Sequence, residues 1–151
     1  MSQAALARQY HPAIIWLHWI VLALMIAAYV TIEFRGIFEK GTPERDLMKM
    51  FHYSFGLTIF ALAAARLVLR FRTGKPPVEP PLTPFLQVGA VAAHVALYLF
   101  MLVMPILGWI IVSAEGQAPA FFGVPLFPLV AANEGLAELS EELHELIGNI
   151  G

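Results

Sequence analysis

The sequence predicts an all-α transmembrane bundle, and three observations carry that expectation. Hydrophobic residues make up 59% of the 151 positions, above the roughly 45–50% of soluble domains. Only 13% of the residues are charged, about half the usual share, and mean hydropathy is +0.72. The apolar content also falls into three stretches of the length a bilayer requires, roughly 20 residues each. A soluble domain of this size has too little interior to hide so much apolar surface, so lipid is the natural solvent. Lipid cannot satisfy backbone polar groups, and each stretch is therefore expected to be helical.

The first span is expected at about 12–34, where Pro12 suits the first helical turn. It does not read as a signal peptide. It is too long, it contains His18, and it ends in Glu33, Phe34 and Arg35 rather than a small-residue cleavage site. The second span is expected at about 47–69 and the third at about 85–112. Pro105 should kink the third, and Gly108 one turn later eases close packing. The chain from Glu115 to Ser140 reads as a long loop without Lys or Arg. Ser140, Glu141 and Glu142 then mark a helix start, so a fourth helix is expected from about 141. It reaches about two turns before Gly151, too short to cross a bilayer at about 1.5 Å per residue. The expected architecture is one membrane domain over 1–151, a four-helix bundle whose fourth helix is truncated in this chain.

The net charge of −2 points to neither a nucleic-acid partner nor a polybasic surface protein. Cysteine is absent, which excludes disulfides, thiolate-held iron–sulfur clusters and covalent haem attachment. The connection after the second span, RFRTGKPPVEPPLTP, is stiffened by prolines. Around it Arg66, Arg70, Arg72 and Lys75 cluster, and Arg8 lies near the N-terminus. The positive-inside rule puts these segments in the cytoplasm and the first and third loops outside.

Five histidines punctuate the chain. His11 precedes Pro12 at the membrane edge and reads as a solvated terminal residue. His18, His52, His94 and His144 fall on four separate helices. An ionisable residue inside a span is costly and marks function by default. A single histidine could bridge two helices by a hydrogen bond. Four of them, with no Asp or Glu deep in the spans, fit ligation better. Neutral imidazole binds zinc, copper and haem iron. Zinc needs three or four groups at one depth, whereas these histidines lie at two depths. His52 and His144 lie near the outward ends, and His18 and His94 toward the cytoplasm. Two pairs at two levels is the layout of two stacked haems. Gly56 and Gly148 follow His52 and His144 by four residues, on the same helix face, where a glycine admits a flat macrocycle; ordinary small-residue packing gives the same pattern. Two histidines on one iron leave no open position, so electron transfer is expected rather than oxygen activation. Lys49, Arg66 and Arg70 fit either haem propionates or snorkelling. Trp16, Trp19 and Trp109 fit interfacial anchors or packing, and Tyr98 fits the core or a quinone pocket.

The segments IIWLHWIVLALMIAAYVTIEFRG, MFHYSFGLTIFALAAARLVLR, AAHVALYLFMLVMPILGW and LHELIGNIG, in this order and spacing, resemble the bacterial cytochrome b561 family over essentially the whole chain. The EFRG after the first span and the His-x-x-x-Gly opening the second resemble in particular its superoxide-oxidising members. The resemblance implies a four-helix bundle in the inner membrane with two b-type haems, and ubiquinone as electron acceptor. It makes His18, His52 and His144 axial ligands of haem iron. In the family the fourth span supplies two ligands fourteen residues apart, about 21 Å along a helix. The first matches His144, and the second falls at about position 158, beyond the end of this chain. His52 and His144 would then hold the outward haem, and His18 would hold the inner one with the ligand near 158. His94 would lie near a quinone or haem edge. Depth alone pairs His18 with His94; the family pairing is the one adopted here.

Three functions follow in order. The first is transfer of electrons from superoxide to ubiquinone. Arg35, Lys40, Arg45 and Lys49 could steer an anion, although Glu33, Glu39, Glu44 and Asp46 offset them. The second is a cytochrome b subunit docked to a hydrogenase or dehydrogenase partner. The third is a membrane scaffold without cofactor.

Overall fold

The computed structural model describes residues 10–74, 76–78 and 80–150. Within them the chain forms helices α1 (Pro12–Phe34), α2 (Pro43–Thr73), α3 (Pro84–Ala114) and α4 (Glu134–Ile150). A short hairpin of β1 (Ala120–Phe121) and β2 (Val124–Pro125) lies between α3 and α4. The first three helices are long and apolar enough to cross a membrane. Arg8, used above for orientation, lies outside the described residues, as does Lys75.

α1 spans the residues expected of it. The His11 side chain caps it, its Nδ1 accepting the Ala13 N–H at 3.2 Å, and Pro12 occupies the first turn. α2 extends past its apolar stretch at both ends. Glu44 and Asp46 sit in its first turn and Arg70 and Arg72 in its last, each sign placed to complement the helix dipole. The sequence pattern marks only the part bathed in lipid, while these charges carry the helix into both interfaces. α3 runs through Pro105 as one helix, and the proline lies beside Gly56 of α2, 4.0 Å from where a Cβ would stand.

The fourth helix differs from expectation. It starts at Glu134 rather than near 141, because Asn133 caps it: Asn133 Oδ1 accepts the Leu136 N–H at 3.0 Å. Asparagine is as good a cap as serine. Ser140, the expected start, is a buried residue in mid-helix. The loop before α4 is correspondingly shorter and well tied down. A two-residue turn, Phe122 (φ 46°) and Gly123 (φ 84°), closes its hairpin, the double positive φ favoured between antiparallel strands. Two buried serines fasten the loop to the bundle. The Phe122 N–H donates to Ser54 Oγ at 2.8 Å and the Leu129 N–H to Ser113 Oγ at 3.1 Å.

α1 packs on α2, α2 on α3 and α3 on α4. The buried residues of α1, Ile14, Val21 and Ala28, recur every seven positions and so form one seam. Val21 and Ala28 meet Ile59 and Ala63 of α2 and Tyr98 and Met101 of α3 in the core. Many large apolar side chains face outward, Phe85 being 86% exposed and Val88 70%. In water such a surface would aggregate; in lipid it is the proper boundary. Among the described residues no Cα of α4 comes within 8 Å of α1 or α2. A gap therefore separates α4 from the α1–α2 pair.

Candidate cofactor site

Two of the histidines singled out above meet across that gap. The rings of His52, from α2, and His144, from α4, have centroids 6.1 Å apart and planes at 76°. Both line a cavity of about 900 Å³, at the upper end of the range for small-molecule and cofactor sites, about 300–1,000 Å³. Gly56 and Gly148, the glycines one turn after each histidine, also line it, as do Ala28, Tyr29, Lys49 and Gly108.

Local bonding prepares each imidazole. His52 Nδ1 lies 3.0 Å from the Ala28 carbonyl oxygen. A carbonyl only accepts, so Nδ1 carries the proton and the Nε2 lone pair is left for a ligand. A hydrogen bond between membrane helices contributes about 0.6 kcal/mol on average. Its larger effect is to fix tautomer and ring orientation, as partners of metal-bound histidines do. His144 Nδ1 is buried without a hydrogen-bond partner. His144 stands against Gly108 of α3, where an added Cβ would meet its Cε1 at 3.5 Å. Gly108 thus clears space for the imidazole rather than only for helix packing. Two imidazoles on one metal at the usual bond of about 2.0–2.1 Å keep ring centres roughly 6 Å apart, which is the spacing here. No three His, Asp or Glu side chains converge on a common point among the described residues, so a zinc-type site is not formed. The cavity has room for a flat cofactor, which His52 and His144 would hold from two helices.

His18 and His94 are placed differently. Both are exposed. His18 lies beside Trp19, ring centres 5.2 Å apart. His94 Nδ1 donates to the Ala90 carbonyl one turn back at 2.6 Å. They lie at the other end of the bundle from the cavity. Midway along α3 Tyr98 is buried in the core, as one of its two sequence readings had it, with its hydroxyl unpartnered, and Arg66 Nε is likewise buried and unpartnered. Trp16 and Trp19 are exposed, as interfacial anchors would be. Trp109 donates its indole N–H to the Phe127 carbonyl at 3.0 Å.

The family model for prokaryotic cytochrome b561 matches residues 9–151. The chain belongs to the prokaryotic cytochrome b561 family. It is 33% identical to cytochrome b561 homolog 1 of Escherichia coli K12 over 91% of this chain and 78% of that protein. It is 32% identical to a Yersinia pestis protein named probable superoxide oxidase CybB, over 95% of this chain and 80% of the relative. Cytochrome b561 homolog 2 of Escherichia coli K12 is 28% identical, over 85% of this chain and 68% of that protein. Membership in this family makes the chain a multi-pass bacterial membrane protein of electron transport and implies b-type haem. The residues fit that group: a cavity of suitable size, an oriented His52 and a second imidazole, His144, lining it from a separate helix.

Three contributors escaped the sequence reading. Ala28 acts through its backbone carbonyl, which no side chain announces. Tyr29 and Ser54 act across helices and carry no local signature. Gly108 was visible as a small residue, but its histidine neighbour was not.

Proposed function

We propose that this cytochrome carries electrons within the bacterial inner membrane, from superoxide to ubiquinone, with its N-terminus in the cytoplasm. Two b-type haems serve it, the outward one held axially by His52 and His144. The observation that carries the reading is the His52–His144 pair, 6.1 Å apart on opposite walls of one cavity. Haem, when bound, would supply reversible one-electron chemistry. Two superoxide anions give up one electron each and leave as dioxygen; one quinone takes both electrons with two protons. The chain's own residues bind and orient. Ala28 sets the His52 ring. Lys49, one turn before His52, and Arg35 line the same cavity and offer cationic ends to propionates. The loop tied by Ser54 and Ser113 covers the outer ends of α2 and α3 and limits water there. His18 serves the inner haem and His94 stands near its edge or a quinone. The sequence similarity to the relative named a probable superoxide oxidase supports the choice of donor. Purified full-length protein supplied with a superoxide source and a soluble ubiquinone should form quinol. Intact haem spectra without quinol formation would remove this donor and leave the cytochrome.

One observation favours a second reading. Among the described residues every acidic side chain lies at the end that carries His52 and His144, against the four cations Arg35, Lys40, Arg45 and Lys49. That field repels an anion and attracts a basic protein. In this reading the chain is the cytochrome b subunit of a larger complex and accepts electrons from a docked redox partner with a basic face. A stoichiometric partner retained on purification at low salt and shed at high salt would select it.

A further inference from the structure

Consecutive residues of α1 touch both helices that carry the outward histidines. Ala28 accepts the His52 Nδ1–H through its carbonyl. Tyr29 donates its hydroxyl to the Gly148 carbonyl at 2.9 Å. Gly148 lies one turn after His144 on the same face of α4. Gly148 lies in the last described turn of α4, where carbonyls have no i+4 N–H among the described residues, so its oxygen can accept the tyrosine hydroxyl. Among the described residues the backbones of α1 and α4 stay more than 8 Å apart at every Cα, so the Tyr29 side chain spans a distance that the helices themselves do not close. α1 supplies no ligand to this level of the bundle, yet it borders the cavity through both residues.

We propose that Tyr29 is a positioning residue for the cofactor site: its hydroxyl sets the rotation and distance of α4, and thereby the approach of His144 to the iron opposite His52. Ala28 and Tyr29 then form a double clamp. One residue orients the first ligand's ring, and the next holds the second ligand's helix. The inference rests on the reading of His52 and His144 as axial ligands. It assigns to α1 a role in the outward site beyond the ligand His18 offers to the inner one.

The test compares Tyr29→Phe with Tyr29→Leu in the full-length haem-loaded protein. Phenylalanine keeps the ring and removes only the hydroxyl; leucine removes both. The readouts are the low-spin ferric electron paramagnetic resonance signal, which reports the relative angle of the two imidazole planes, and the rate of haem transfer to apomyoglobin. Tyr29→Phe should shift the signal of one haem and speed its loss a few-fold, less than the roughly tenfold effect common for a direct hydrogen-bond partner of a ligand. The shift should persist in the His18→Ala background and vanish in His144→Ala. Wild-type signal and haem retention in Tyr29→Phe overturn the proposal. So does a defect confined to Tyr29→Leu, which would mean ring packing alone. Absence of any Soret band in the unsubstituted protein would instead sink the cofactor reading itself, so the two failures are told apart.

Discussion

The two ends of the bundle carry the same chemistry in different states of assembly. At one end, proposed to face outward, His52 and His144 line a common cavity. One is oriented by a backbone carbonyl, and a loop is fastened beside them by two buried serines. At the other end His18 and His94 are exposed, and Arg66 Nε is buried without a partner. Among the described residues the His52–His144 end is walled by all four helices.

The largest effects should come from the ligands. His52→Ala or His144→Ala should each remove the outward haem from the full-length protein, read as haem per polypeptide, and leave the inner haem in place. At the inner end the family pairing expects His18→Ala to remove haem and His94→Ala to retain it. Equal loss from both would restore the pairing by depth.

A middle-sized effect separates the ends by space alone. A Cβ on Gly108 would stand 3.5 Å from the His144 ring, whereas one on Gly89, near the start of α3, would have nothing within 4 Å. Gly108→Leu should overpack the outward site by about 1–3 kcal/mol and weaken haem retention. Gly89→Leu should change neither stability nor haem content, because its side chain enters lipid. A matching defect in both would mean that the outward cavity is no tighter than the membrane-facing surface.

The smallest effect is expected at the loop. Ser54→Ala leaves the Phe122 N–H without its acceptor, a cost of about 1–3 kcal/mol if the amide stays buried. The strain is relieved by loosening the loop locally. Hydrogen exchange over residues 116–133 should quicken, with the inner ends of α1 and α3 unchanged. Unchanged exchange in the loop would show that the aromatic contacts of Phe122 with Phe51 and Phe55 hold it without the serine.

Much of this was legible in the sequence. Three apolar stretches fix three spans, because only a helix satisfies its own backbone in lipid. A first span at about 12–34 was bracketed by Pro12 and the charged Glu33–Arg35 border. The ligand candidates stood out because histidine is costly where it sat. The start of α4 was misplaced since Asn133 and Ser140 are equally good caps, and only the fold decides that Ser140 is buried mid-helix. The partners of the histidines were invisible for a different reason. Ala28 contributes a main-chain oxygen, Gly108 contributes the absence of a side chain, and Tyr29 reaches a residue 119 positions away. Such roles belong to the assembled bundle and not to any local pattern.

The central claim is that the imidazoles of His52 and His144 share one metal. Replacing His144 with glycine and then adding free imidazole tests it most directly. His144→Gly protein should lose the low-spin spectrum of the outward haem and regain it as imidazole fills the vacated space. A wild-type low-spin spectrum in His144→Gly without imidazole would contradict the claim.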